Sequence, residues 1–233
     1  MKKTILLGAR YRERLDEALV RHGFVPFYLS ENPLLDARLS AHADLSLVKI
    51  SERTIVAVAQ LCENAQFCDL VLGAGYDLVL AENEQSAAYP EDTGLCVCAV
   101  GENIFCRKDS TDPAVLRHHR GRVINVRQGY AKCSICALPS GAIITSDNGI
   151  FEAAEMAGVC ALKIFPGGIE LSGFDTGFIG GASFCCEGVL YLTGSLGMHP
   201  SRGEICSFLK EQGMELCELT SEPIFDIGGA IIL

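Results

Sequence analysis

The order of elements predicts an α/β fold in which five copies of one unit close into a ring. Each unit is a hairpin, a helix and a returning strand. Three observations carry the prediction. One full unit is legible between Leu171 and Leu219, three similar runs precede it, and the two ends hold complementary parts of a fifth. The N-terminal run lacks its opening strand, and the C-terminal Phe225–Leu233 is a strand with no partner after it. A ring whose first element is completed by its last exposes no edge that would need a cap. The expectation is a closed five-bladed α/β propeller, one domain over residues 1–233, with the N- and C-terminal segments sharing one blade.

The N-terminal run gives strand Lys2–Gly8, helix Arg10–Arg21, Gly23 as C-cap and strand Val25–Leu29. In the second unit, strands Ala43–Lys49 and Thr54–Ala59 flank a turn at Ile50–Arg53. A short helix around Gln60–Ala65 and strand Asp69–Gly73 complete it, with no closing glycine. The third unit has Gly94–Val100, a Gly101-Glu102 turn and Ile104–Arg107. Asp112-Pro113 opens its helix, Gly121 closes it and Arg122–Val126 returns. In the fourth, Ala131–Leu138 and Ala142–Ser146 flank Pro139-Ser140-Gly141. Asp147 or Asn148 caps a helix ending at Ala157-Gly158, and Val159–Phe165 returns. The fifth begins as a glycine-loosened strand from about Asp175, turns at Glu187-Gly188 and continues as Val189–Thr193. Ser201 and Glu204 have capping-box spacing for a helix to Gln212-Gly213, and Glu215–Leu219 follows. Glu31–Arg38 and Tyr76–Asp92 read as connections between units, of the kind that line sites.

Composition narrows the function classes. The chain has 233 residues, 49% of them hydrophobic, enough for a sizeable core. A formal charge of −10 argues against nucleic-acid binding. Arg117-His118-His119-Arg120 reads as a solvated helix end complementing the helix dipole. No apolar run reaches membrane-spanning length, and the opening residues are too short an apolar stretch for a secretory signal. Twelve cysteines then read as free thiols in the cytoplasm.

Cys133-x-x-Cys136 and Cys96-x-Cys98 have zinc-like spacing. Both pairs fall in expected strands, where residues three apart face opposite sides and Cys96 and Cys98 sit among Leu95, Val97 and Val100. The reading is packing, with no metal and no cofactor. The acidic residues point elsewhere. Asp44, Asp175 and Asp226 lie near the starts of opening strands in three different units, so rough rotational symmetry brings them to the axis. With His42, and Arg10 at the rim, they outline a central acidic pocket for a small cationic ligand, a guanidinium being well matched to carboxylates.

This architecture resembles the pentein superfamily of amidinotransferases, arginine and agmatine deiminases and dimethylargininase. Gly173-Phe174-Asp175-Thr176 is similar to that family's H-x-D-x stretch, and Asp226-Ile227-Gly228-Gly229-Ala230 to the glycine-rich strand that runs into its nucleophilic cysteine. The resemblance implies a guanidinium contact for Asp175. Two departures qualify it: Gly173 stands where the catalytic His would be, and Leu233 falls just before the cysteine's place. The expected function is binding of a small guanidino or amino compound without the family's Cys-His pair. One alternative is a guanidine-modifying hydrolase that recruits His42 and Cys133, Cys136 or Cys185. The other is a non-catalytic interaction propeller, as in the branch similar to the ribosome anti-association factor.

Overall fold

The computed structural model describes residues 3–233; Lys2, where the first strand was expected to begin, lies outside them. Among the described residues, fifteen strands form five separate three-stranded sheets. Four sheets follow the chain: β3 (Leu47–Lys49), β4 (Thr54–Ala57), β5 (Asp77–Leu80); β6 (Cys98–Val100), β7 (Asn103–Cys106), β8 (Arg122–Asn125); β9 (Ile135–Ala137), β10 (Ile143–Thr145), β11 (Ala161–Lys163); and β12 (Ser183–Cys186), β13 (Val189–Leu192), β14 (Glu215–Glu218). The remaining sheet joins β1 (Lys3–Gly8) and β2 (Phe24–Leu29) to the C-terminal β15, Ile231–Ile232. In every sheet the leading strand is antiparallel to the middle one, and the middle strand is parallel to the last through a helical crossover. The register Ile5↔Ile232 and Leu6↔Ile231 ties the two ends of the chain together.

Local chemistry fixes the punctuation. Glu187 and Gly188 both have positive φ, 49° and 80°, the conformation of a tight primed hairpin turn. Gly158 takes the left-handed conformation after the helix Asn148–Ala157, whose first turn Asp147 caps by accepting from Ile150 N. Asp112 caps the helix Pro113–His118 in the same way, through Ala114 N.

Several expected elements differ. Two leading strands, β3 and β9, are shorter than the apolar runs suggest because a helical turn precedes each. Ala43–Ser46 and Ala131–Ser134 are helical, and only Leu47–Lys49 and Ile135–Ala137 pair as strands. The strand expected from Asp175 starts at Ser183, and only Ile231–Ile232 of the C-terminal run pairs with β1. Asp69–Gly73 belongs to the helix Ala65–Gly73, capped by Asn64; the returning strand is Asp77–Leu80, and Gly75 at φ +87° supplies the terminator. Phe67 and Val71, one helical turn apart, bury one face. Ser201 makes no capping hydrogen bond for the helix Arg202–Glu211; its hydroxyl accepts from Phe165 N instead. Gly121 is no helix cap, since the helix ends at His118. It is small because a Cβ there would lie 1.7 Å from the Glu102 carbonyl oxygen.

The helical assignment of Ala65–Gly73 makes a direct prediction. Phe67 is fully buried and Leu72 is 55% exposed. Phe67→Ala is expected to cost about 3–5 kcal/mol in urea unfolding. Leu72→Ala is expected to stay within about 0.5 kcal/mol.

Candidate functional site

The segments that lead into β3, β6, β9, β12 and β15 converge. Backbone hydrogen bonds link them in sequence: Lys132 N donates to Cys96 O at 3.3 Å, and Gly181 N to Cys133 O at 2.9 Å. Ile227 N and Gly229 N both donate to Gly181 O, and Asp44 N donates to Gly228 O at 3.1 Å. Approach this close excludes side chains. A Cβ on Gly180 would lie 2.2 Å from Ile135 O, one on Gly181 2.0 Å from Asp226 Oδ1, and one on Gly228 2.3 Å from His42 Cβ. Gly180, Gly181 and Gly228 are therefore packing devices of this junction.

Two of the three predicted carboxylates meet here. Asp44 and Asp226 are buried, and His42 is buried beside them. Asp226 is a structural acceptor: Oδ2 takes Phe178 N at 2.9 Å and Oδ1 takes Gly228 N at 2.8 Å, joining two leading segments. Asp44 is less satisfied. Its Oδ2 accepts the Cys133 thiol at 2.8 Å, while Oδ1 has no partner. Burial pushes the Asp44 carboxyl up to about 7. Burial also lowers His42, whose Nε2 is without a partner.

The other two predicted residues stand apart. Asp175 is exposed, eight residues ahead of β12, where Asp44 is three ahead of β3. It lies in the loop touched by Arg38, whose guanidinium covers the Phe174 ring at 4.5 Å. Arg10 turns its guanidinium to Glu31, to the carbonyls of Ala37 and Arg38, and to Ser40 Oγ. It thereby fastens both ends of the segment running from Glu31 to Ser40. Leu35 and Leu39 of that segment pack with Leu45, Cys96 and Cys133, and with Tyr130, Leu171 and Phe178. The polar junction thus lies under an apolar cover.

Three residues join the site that the acidic pattern did not reveal. Cys96 and Cys133 place their sulfurs 3.9 Å apart, across two sheets rather than within either Cys motif. Each stands two residues before its leading strand, an equivalence hidden as long as these segments read as strand. The hydrogen bond to Cys96, burial and the neighbouring Asp44 hold the Cys133 thiol well above its ordinary range. Lys132, half-buried, donates to Gly180 O at 3.3 Å. Burial pulls the Lys132 ammonium down, but Cys98, Asp44 and Cys133 outweigh it and the net direction is up.

The family model for a family of unknown function, DUF6873, matches residues 6–231, so the chain belongs to that family. No curated protein matches it in sequence. Among solved structures it is similar to dimethylarginine dimethylaminohydrolase from Pseudomonas aeruginosa, a cysteine-to-serine mutant complexed with citrulline. Identity is 10%, all of both chains is covered and the TM-score is 0.54. A second structure of a dimethylarginine dimethylaminohydrolase, an adduct with S-methyl-L-thiocitrulline, gives 10%, full coverage of both chains and 0.56. The N-terminal domain of ArgZ, a cyanobacterial arginine dihydrolase bound to substrate, gives 11%, 98% of this chain, 95% of that one and 0.55. These relations show a shared pentein fold.

The junction geometry predicts unequal costs for two glycines. Gly181→Ala forces a Cβ onto Asp226 Oδ1 and is expected to destabilise by about 1–3 kcal/mol. Gly203→Ala, in the helix Arg202–Glu211 with nothing within 4 Å, is expected to be neutral or to stabilise by up to about 1 kcal/mol. Thermal and urea unfolding of both variants check the contrast.

Proposed function

We propose that this member of the DUF6873 family closes its five sheets into a propeller and binds a small guanidino or amino compound at their junction, through Asp44 and Asp226 and without a covalent step. The carrying observation is the partnerless Asp44 Oδ1, buried beside a second carboxylate where all five leading segments meet. The sequential hydrogen bonds from Lys132 round to Asp44, with the pairing of β1 and β15, support closure.

The class of ligand follows from what the site already holds. A Cβ on Gly229 would be 3.3 Å from Lys132 Nζ and 3.9 Å from Asp44 Oδ2, so the chain's own amine and this carboxylate border the same point, and Asp44 acts on the ammonium through space without an ion pair among the described residues. The amine's one hydrogen bond, to Gly180 O, is long, and an incoming ammonium or guanidinium with better-placed donors displaces it. The fold is shared with proteins whose structures carry citrulline and S-methyl-L-thiocitrulline. A covalent step through Cys133 is disfavoured because its proton is held by Asp44 and the thiol is shifted up, away from the thiolate that attacks. Entry requires the Leu35–Leu39 cover to lift.

The test is a thermal-shift screen of chelator-treated protein against arginine, agmatine, creatine and dimethylarginine. A ligand at a hundred times its Kd is expected to add about 2.7 kcal/mol, or about 5–10 °C in a domain of this size. Asp44→Asn is expected to keep the fold and abolish the shift. No shift with any of the four at millimolar concentration overturns the reading.

A further inference from the structure

We propose that Asp44, Cys96 and Cys133 form three corners of a tetrahedral site for a thiophilic divalent cation of the zinc class. One carboxylate oxygen and the two sulfurs lie within 4.8 Å of one another, each delivered by a different leading segment and each 1–2% exposed. Zinc–sulfur bonds of about 2.3 Å at tetrahedral angles place two sulfurs about 3.8 Å apart. Here they are 3.9 Å apart. That separation is nearly twice a disulfide bond length of about 2.05 Å. The spacing is thus that of two ligands sharing one ion.

The second observation is independent of spacing. Asp44 Oδ1 and His42 Nε2 are buried polar atoms with no partner among the described residues, and burial of that kind costs free energy unless something binds them. A His42 ring nitrogen lies within 4.8 Å of Cys133 Sγ and of an Asp226 oxygen but does not join the group of Asp44 and Cys96, so it borders the site at Cys133 and is not one of its corners. Binding releases the two thiol protons to solvent as two metal–sulfur bonds form. Losing its proton, Cys133 Sγ no longer donates to Asp44 Oδ2 at 2.8 Å, and the pair opens to the roughly 3.5 Å sulfur–oxygen edge of a zinc tetrahedron. Two thiolates and a carboxylate leave one negative charge on a divalent ion, and the Lys132 ammonium beside them neutralises it. Thiolate donors select zinc-like ions over calcium or magnesium.

This inference shares Asp44 with the amine reading but uses two thiols that amine binding does not need, so the serine variants separate the two. The experiment is anaerobic titration of reduced, chelator-stripped full-length protein with Co²⁺, followed by competition with Zn²⁺. The expected result is one equivalent bound, with a thiolate-to-cobalt charge-transfer band and the intense visible bands of tetrahedral cobalt. Cys96→Ser, Cys133→Ser and Asp44→Asn are each expected to weaken binding beyond the roughly 10–100-fold that loss of an outer partner costs. Cys106→Ser, a buried thiol outside the trio, is expected to leave it unchanged. Circular dichroism identifies any variant that fails to fold, and the remaining two then carry the comparison. No stoichiometric uptake overturns the proposal. So does a band that survives both serine variants, or one that disappears when exposed Cys160 and Cys206 are alkylated. An amine shift without metal uptake, or uptake without a shift, tells the two readings apart.

Discussion

Everything in this molecule depends on how closely five backbone segments approach one another. Strands in separate sheets share no ladder, so the sheets are joined at the junction by a few hydrogen bonds between leading segments and by packing. That approach needs glycine. At Gly177, Gly181 and Gly228 even a methyl group would overlap Asp226 or His42. Asp226 has its role for the same reason: a carboxylate with two acceptor oxygens bridges two backbone N–H donors that have no strand partner. Removing those contacts would loosen the sheets relative to one another while leaving each intact.

The sequence revealed much of the fold because its signals are local. Left-handed glycines at 23, 158 and 213, the Glu187-Gly188 turn and the Asp112 and Asp147 caps are short-range backbone chemistry, legible without knowing neighbours. The leading segments were harder. Leu45–Val48 and Cys133–Cys136 are largely apolar runs, each with one serine and no Gly or Pro, which periodicity cannot assign to turn or strand. Their helical turns exist because the chain must bend into the junction, which is a tertiary demand. Asp175 shows the limit of symmetry reasoning. It looked equivalent to Asp44 and Asp226, but its longer approach to β12 leaves it at the surface. Cys96 and Cys133 show the converse, since residues in different units became neighbours without any motif to announce them.

The site combines opposite solvation demands. Carboxylates, an imidazole and an ammonium are gathered where little water reaches, under Leu35 and Leu39. In such surroundings an unpaired polar atom is costly and a paired one strong. The cover is itself anchored at the surface by Arg10, whose contacts with Glu31, Ala37, Arg38 and Ser40 hold the segment at both ends. Its polar fastenings are exposed and screened, whereas Leu35 and Leu39 hold it from below by burial.

The pairing of β1 with β15 also constrains how the chain acquires this structure. Ile5 waits for Ile232, so the first sheet stays incomplete while the rest is being synthesised. The junction is likewise unfinished until Asp226 and Gly228 arrive, because Gly181 and Asp44 bond to that last segment. Contacts of such long sequence separation slow folding, since chain entropy is lost before they form. During that interval β1 presents an open, apolar edge. Until β15 arrives that edge is unpaired, and an unpaired apolar strand edge is open to pairing with another chain.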